Sequence, residues 1–279
     1  ICAYLLVKQV ERKPKLAIIT VTPTPDIELF IKNKKKAIEK IGAEIEIIHY
    51  KRAPRFEKFV HRIKEISMDS AVSGVVIQKP LPAALQTVTL YNYINPYKEI
   101  EGVIEKSPFL PPLGKAVVTA LLHALSQGEP LPSKKQYIDE ITDMDPLKLY
   151  CRRKKVVVVG RGETGGVPIA KTLSQIKVPF INIFNSTVNK DSFLEEADII
   201  ITAVGKNIID PEKMKKGIWL ISTGYRNDKG IWKGDFEEDD IQEIADFYTP
   251  TPGGMGPLDI AYLMQNLVRS AEHIEENNF

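Results

Sequence analysis

Lys155-Val-Val-Val-Val-Gly-Arg-Gly-Glu-Thr-Gly-Gly-Val-Pro-Ile-Ala-Lys-Thr-Leu173 reads as a strand, a glycine turn and a helix. The β-branched run Val156–Val159 is a short buried strand. Gly160, Gly162 and Gly165 then fit G-x-G-x-x-G, and a helical pattern follows over Gly165–Ile176. In that setting the glycines mark a dinucleotide site. The first makes the turn, the second lets the main chain approach a pyrophosphate, and the helix N-terminus faces its charge. The bland alternative is a bare βα turn.

The same alternation extends in both directions. After the glycine turn come strands at Phe180–Phe184, Ala197–Ala203 and Ile218–Ser222. Before it, a first series runs through a strand at Leu16–Val21, a helix at Ile27–Ile41 and a strand at Glu44–His49. A helix at Phe56–Ser67 and a strand at Gly74–Gln78 complete it. Short apolar strands alternating with helical patterns argue for parallel α/β units. The expected fold class is therefore α/β, with two α/β lobes, the second a Rossmann-type parallel sheet. Residues 128–154 carry Pro130, Pro132 and Pro146 without a convincing period, and read as an interlobe segment with a short helix near Ile138–Ile141. A final apolar helix, Leu258–Ile274, is expected to pack back on the first lobe. The domain reading is 1–127 as a catalytic lobe with return helix 257–279, 128–154 between the lobes, and 155–256 as the dinucleotide lobe.

Composition removes several function classes. A net charge of +2 over 279 residues gives no bulk electrostatic reason to bind nucleic acid or an anionic membrane. Apolar runs fall well below the ~20 residues a membrane span needs. The opening run Ile1–Val7 lacks a basic leader and a small-residue cleavage site, so no signal peptide is expected. Cys2 and Cys151 have no metal-ligand spacing, so neither a metal site nor a disulfide scaffold is expected, and a reducing compartment, the cytoplasm, is.

One residue breaks its pattern. The helix Ile27–Ile41 has an apolar stripe at Ile27, Phe30, Ile31, Ala37, Ile38 and Ile41, and Lys34 falls on it. Partial burial disfavours an ammonium and suits a lysine to acid–base work. The competing reading is a stem that snorkels to the rim. Gln78 ends a buried strand, where ligands of open α/β sheets bind, and Pro80 and Pro82 stiffen the loop after it. Glu99 and Glu101 precede a turn at Gly102. One of them could grip a basic heterocycle, although adjacent loop acids are commonly just solvated.

The second distinctive stretch is Thr249-Pro-Thr-Pro-Gly-Gly-Met-Gly-Pro257, which alternates rigid and permissive residues just before a helix. It can hold a planar or anionic ligand against main chain. An ordinary tight turn is the alternative. At the dinucleotide turn, the neutral strand tip Asn185-Ser186-Thr187 and the cation Arg161 suit a 2′-phosphate better than a bare ribose diol, which favours NADP over NAD. Arg161 pointing only into solvent is the competing reading.

Together these residues resemble the bifunctional methylenetetrahydrofolate dehydrogenase/methenyltetrahydrofolate cyclohydrolase family over nearly the whole chain. Thr249–Asn266 is similar to its T-P-x-P-G-G-V-G-P-M-T signature and following helix. Val159–Pro168 is similar to V-G-R-S-x-x-V-G-x-P, Val76–Pro82 to V-Q-L-P-L-P, and Lys98–Gly102 to K-D-V-D-G. Phe30–Lys34 matches Y-x-x-x-K, with Lys34 on the catalytic lysine. The resemblance implies oxidation of 5,10-methylenetetrahydrofolate with NADP, and hydrolysis of the methenyl product to 10-formyltetrahydrofolate. It implies Lys34 and Gln78 as catalytic residues. Phe30, Lys79, Pro80, Leu81, Glu101, Pro252, Gly253 and Gly254 become the expected folate contacts. Gly160, Arg161, Gly162, Gly165, Gly166, Asn185, Ser186, Ala203, Val204 and Gly205 become the expected dinucleotide contacts. It also implies a homodimer.

This chain departs from the family pattern at several sites. Phe30 replaces the motif tyrosine, Glu101 the folate-binding aspartate, Lys79 a leucine, Gly162 the serine of the glycine turn, and Asp259 a threonine. The family's P-C-T-P segment is represented by Leu110–Leu113. Two other readings therefore stand beside it: a different two-lobed NADP dehydrogenase of the shikimate-like kind, and a folate- or dinucleotide-binding protein with reduced or lost activity.

Overall fold

The computed structural model describes residues 12–126 and 144–277. These fall into two compact units, 12–112 with 260–277, and 113–126 with 144–259. Cys2, the opening run and the helix expected near Ile138–Ile141 lie outside the described residues. Among the described residues, no helix is long and apolar enough to cross a membrane.

The first unit is built on a parallel sheet of order β2-β1-β3, with β1 Lys15–Val21, β2 Glu44–Tyr50 and β3 Gly74–Ile77. Its central strand alternates with period two, and both faces are buried. Leu16 and Ile18 enter one cluster, with Ile27, Ile31 and Ile38 of helix α1 (Pro25–Lys40) and Leu263, Met264 and Leu267 of helix α8 (Met255–Glu276). Ala17, Ile19 and Val21 enter the other, with Phe59, Ile63 and Ile66 of helix α2 (Phe56–Met68). Helix α1 starts where Pro25 fixes φ at the first position, with Asp26 and Glu28 facing its positive end. Phe30 leaves the expected stripe and is 36% exposed.

Two polar anchors fix the loops of this unit. Asn266 of α8 is fully buried, and its side-chain amide donates to Ile100 O at 2.8 Å and Leu110 O at 3.1 Å. Glu99 bridges in parallel to Val75 of β3 and is also fully buried. Its carboxyl accepts the N–H groups of Glu101, Val103 and Ile104, at 3.0, 2.8 and 3.3 Å. The competing reading, that both loop acids are merely solvated, does not hold for Glu99, because the turn it closes has main-chain donors that need a partner away from water. Burial, with the neighbouring Glu101 charge, pushes the Glu99 carboxyl up to about 8.

The second unit is a parallel sheet of order β5-β4-β6-β7-β10. Its strands are β4 Val156–Val159, β5 Ile181–Ile183, β6 Ile199–Thr202, β7 Ile218–Ser222 and β10 Ala245–Tyr248. Chain order reverses between β4 and β6, the place where such sheets open a crevice for a ligand. Helix α5 (Gly166–Gln175) follows β4, and helix α6 (Lys190–Glu195) follows β5. An antiparallel hairpin, β8 Arg226–Asp228 and β9 Ile231–Lys233, lies between β7 and β10. Two further helices are α3 (Pro112–Leu125) and the single-turn α7 (Glu238–Ile241). The segment expected to be irregular contains helix α4 (Asp145–Cys151), with Pro146 inside its first turn and Leu147 and Cys151 buried one turn apart. Seven residues are too few to display a period, and here the proline marks a helix start rather than a break.

Two stability measurements follow. Asn266→Ala strips the donor from two buried carbonyls and should cost about 2–3 kcal/mol in denaturant unfolding. A change below about 0.5 kcal/mol, the scale of ordinary surface substitutions, would contradict the anchor. For Glu99, the folded state holds a proton that the unfolded chain releases near pH 4.5, so its contribution is complete below that pH. It declines as pH rises and is gone above about 8. Glu99→Gln should therefore flatten the fall in stability across that window, and an unchanged slope would contradict the assignment.

Candidate active site

In the first unit, the site is assembled at the carboxyl edge of the sheet. The Gln78 main-chain N–H donates to Ile19 O at 2.9 Å, which carries the β1–β3 ladder one residue past β3 and fixes the side chain's origin. Lys34 sits on α1 between Ile31 and Ile38, both buried, and is itself half-buried. Its Nζ donates to Gln78 Oε1 at 2.7 Å. Gln78 Nε2 in turn donates to Lys79 O at 3.1 Å. An ammonium only donates and a carbonyl only accepts, so these two contacts set the amide's orientation. Lys34 is thus tethered by its tip rather than left to trail along the rim.

The loop after Gln78 is sorted by burial. The Lys79–Pro80 peptide is cis, Pro80 is exposed, and Leu81 turns inward to join the cluster around Phe59. Leu81 is therefore a packing residue that roots the loop. The Lys79 ammonium lies 5.6 Å from the centre of the buried Tyr91 ring. Glu101 is half-buried, on the strand-like run that pairs beside β3 through Val75 and Glu99. The two acids divide the work: Glu99 closes the turn, and Glu101 is the less buried of the pair.

In the second unit, the glycines of the β4–α5 turn have unequal roles. Gly160 has φ +119°, and a Cβ there would stand 2.7 Å from Ala203 O. A Cβ on Gly166 would overlap the Gly160 carbonyl, so Gly166 makes the close crossing of helix and turn. A Cβ on Gly162 would meet nothing, which leaves its main chain open.

Beside this turn lies a cavity of about 530 Å³, walled by Gly160, Arg161, Gly162, Asn185, Ser186, Ala203 and Val204. Gly165, Gly166 and Gly205 lie outside the wall and shape the turns behind it. The Arg161 guanidinium stacks over Phe184, 4.5 Å from the ring centre, so it is held at the cavity mouth although exposed. Lys190, Asp191, Lys206, Asn207 and Ile208 also contribute, none of them anticipated from sequence. Their positions follow the ends of β5 and β6, and a reading of those strand ends would have reached them. An open glycine main chain and three cations against one carboxylate fit a phosphate-bearing dinucleotide.

The proline-glycine loop is also rigidly held. Thr249 is buried and accepts the Ser222 N–H at 2.9 Å, and the Thr251 N–H donates to Glu238 at 2.7 Å. The Thr251–Pro252 peptide is cis, Gly253 has φ +108°, and the Gly254 N–H donates to Pro250 O at 3.0 Å. Pro252 and Gly253 are exposed at the tip. Helix α8 begins at Met255, three residues earlier than its apolar pattern suggests.

Comparison with known proteins agrees with this architecture. Residues 3–101 match the model of the tetrahydrofolate dehydrogenase/cyclohydrolase catalytic domain, and residues 141–275 match that of the family's NAD(P)-binding domain. The Bifunctional protein FolD of Staphylococcus epidermidis is 33% identical over 266 residues, covering 91% of this chain and 84% of that protein. The fold is similar to that of the FolD methylenetetrahydrofolate dehydrogenase/cyclohydrolase of Campylobacter jejuni, with TM-score 0.79 at 24% identity over 97% of this chain and 92% of that one. It is likewise similar to the Trypanosoma brucei dehydrogenase-cyclohydrolase complexed with NADP and inhibitor, with TM-score 0.78 at 21% identity over 98% and 95% of the two chains. With both domain models matched in order along the sequence, this chain belongs to the tetrahydrofolate dehydrogenase/cyclohydrolase family.

Proposed function

We propose that this protein oxidises 5,10-methylenetetrahydrofolate to the methenyl form with NADP, and hydrolyses that product to 10-formyltetrahydrofolate. The observation that carries the reading is the 2.7 Å bond from Lys34 Nζ to Gln78 Oε1, in a chain of this family. When bound, the dinucleotide supplies a hydride acceptor. The methenyl cation spreads its charge over two nitrogens, so the chain's task in that step is alignment, worth on the order of 7–11 kcal/mol when geometry is well fixed. Rigid loops at 79–82 and 249–254 suit that task.

Hydrolysis makes a different demand. Water adds to the methenyl carbon and loses one proton; the carbon–nitrogen bond then breaks, nitrogen gaining a proton as the added hydroxyl gives one up to become the formyl carbonyl, so one proton is released overall. Lys34 Nζ is the group assigned to hold and pass that proton. Gln78, its orientation set by the Lys79 carbonyl, keeps the amine in register. Glu101 is assigned to hydrogen-bond the pterin, with Phe30, Lys79 and Pro80 as folate contacts of the same unit, and Pro252, Gly253 and Gly254 are assigned as folate contacts of the other. Arg161, stacked on Phe184 beside Asn185 and Ser186, favours NADP over NAD. We take the working form to be a cytoplasmic homodimer.

A reading with a weakened second activity has specific support. Phe30 has no hydroxyl to offer near Lys34, and Gly162 has none to offer a phosphate. Binding of NADP without turnover of either folate would favour it.

Lys34→Met should lower the cyclohydrolase rate by about 10²–10⁴-fold, the usual worth of a general acid–base group, while hydride transfer stays measurable. Equal cyclohydrolase rates in variant and parent would end the Lys34 assignment. Phe30→Tyr should raise that rate, and no change would mean that Gln78 alone positions the lysine. Arg161→Ala should raise KM for NADP by about tenfold and leave KM for NAD nearly untouched. Equal losses for the two dinucleotides would contradict the 2′-phosphate role.

A further inference from the structure

One wall of the dinucleotide cavity is the stretch that leaves β6, contributing Ala203, Val204, Lys206, Asn207 and Ile208. It has no regular structure of its own to hold it. It is held by a side chain about thirty residues further along. Asp235 is fully buried, just beyond the β8–β9 hairpin. Its Oδ2 accepts the Val204 N–H at 3.0 Å, and its Oδ1 accepts the Lys206 N–H at 3.0 Å. Its main-chain carbonyl accepts the Ile208 N–H at 3.1 Å. Its own N–H donates to Ser222 Oγ, at the end of β7, at 2.8 Å.

The surroundings leave this carboxylate little freedom. Gly224 crosses it so closely that a Cβ there would overlap its oxygens. The hairpin that delivers it is clamped by an Arg226–Glu237 ion pair and by Lys233, which reaches Glu237 at 3.0 Å and Asp228 at 3.1 Å. On the opposite side, the wall touches the glycine turn directly, because Ala203 O is what a Cβ on Gly160 would meet. Burial raises the proton affinity of Asp235, and the main-chain donors and the Thr202 side chain aimed at it act against that shift. An apolar residue in its place would leave two N–H groups unpaired in the interior.

We propose that Asp235 is a positioning residue for the dinucleotide: it pins the 203–208 wall against the glycine turn at 160–162 and so sets the width of the cavity. The inference rests on the dinucleotide reading above. The Asp235 carboxyl accepts the Val204 and Lys206 N–H groups, with the Thr202 side chain as a further partner, and acts on the cavity through that wall.

The full-length chain, Asp235→Asn and Asp235→Ala can be compared by equilibrium titration with NADP and NAD and by hydrogen exchange over residues 203–206. In the parent, the Val204 and Lys206 amides should be protected. Asp235→Asn keeps one acceptor oxygen and turns an amide donor toward the other N–H. It should weaken NADP binding about tenfold and speed exchange, with Asp235→Ala losing more. The deficit should lie in KM for NADP, with kcat recovered at saturating NADP. Unchanged NADP affinity in a folded Asp235→Asn variant overturns the inference. So does rapid exchange of the Val204 and Lys206 amides in the folded parent, a result that needs no variant. A parent that binds neither NADP nor NAD overturns the dinucleotide reading, and this inference with it.

Discussion

The structure depends on parallel strands buried on both faces. In β1, every residue from Leu16 to Val21 is buried, and in β4 all four valines are. Such strands have no face to spare for polar chemistry. Functional groups must therefore collect where the strands end, and ladder register decides which groups meet. Gln78 is the first residue past β3, and its N–H still belongs to the β1 ladder. That bond places its amide opposite Lys34. Gly160 occupies the same place in the second unit, one residue past β4, with its N–H on Ile183 O at 2.9 Å. Each unit thus turns the end of a strand into a fixed origin for chemistry.

Loops at those edges need anchors, and the anchors are buried polar groups serving main chain. Glu99 closes the turn that carries Glu101, Asn266 holds two carbonyls in the same unit, and Asp235 holds the wall beyond β6. Each satisfies two or more main-chain groups that would otherwise be stranded away from water. A buried carboxylate or amide is costly unless fully paired, and these three are paired to main chain that adjoins a candidate site or its core. The rigidity of these loops is built from such bonds as much as from prolines.

Most of the strands and helices that make the two sheets were legible from sequence, because period-two and period-3.6 patterns record burial directly. Val156–Val159 and Ile218–Ser222 were read to the residue. Strand β10 escaped because Ala245–Tyr248 is partly exposed at a sheet edge and lacks a buried strand's continuous apolar run. Helix α4 escaped because it is shorter than a readable period. In the candidate site, Lys34 and Gln78, which the structure joins by a hydrogen bond, stand out in the sequence because each breaks its local pattern. The roles of the glycines were less legible: spacing points to Gly165, whereas the close crossing is made by Gly166. Glu99 and Asp235 serve main chain that was invisible to side-chain patterns. Leu81 sits in the core because a loop that carries Gln78 must be rooted somewhere apolar.

Phe30, Lys79, Glu101, Gly162 and Asp259, where this chain departs from the family pattern, all lie outside the strands of the two sheets. Phe30, one turn from Lys34 on α1, and Lys79, whose carbonyl takes the Gln78 amide, stand next to a pair that keeps its 2.7 Å bond. The central claim is that lysine and amide act as one unit. A double-mutant cycle across Lys34→Met and Gln78→Leu, read as cyclohydrolase rate, tests it most directly. The double variant should be no slower than Lys34→Met alone. Losses that multiply would contradict it, because two independent groups, not one coupled pair, would then carry the step.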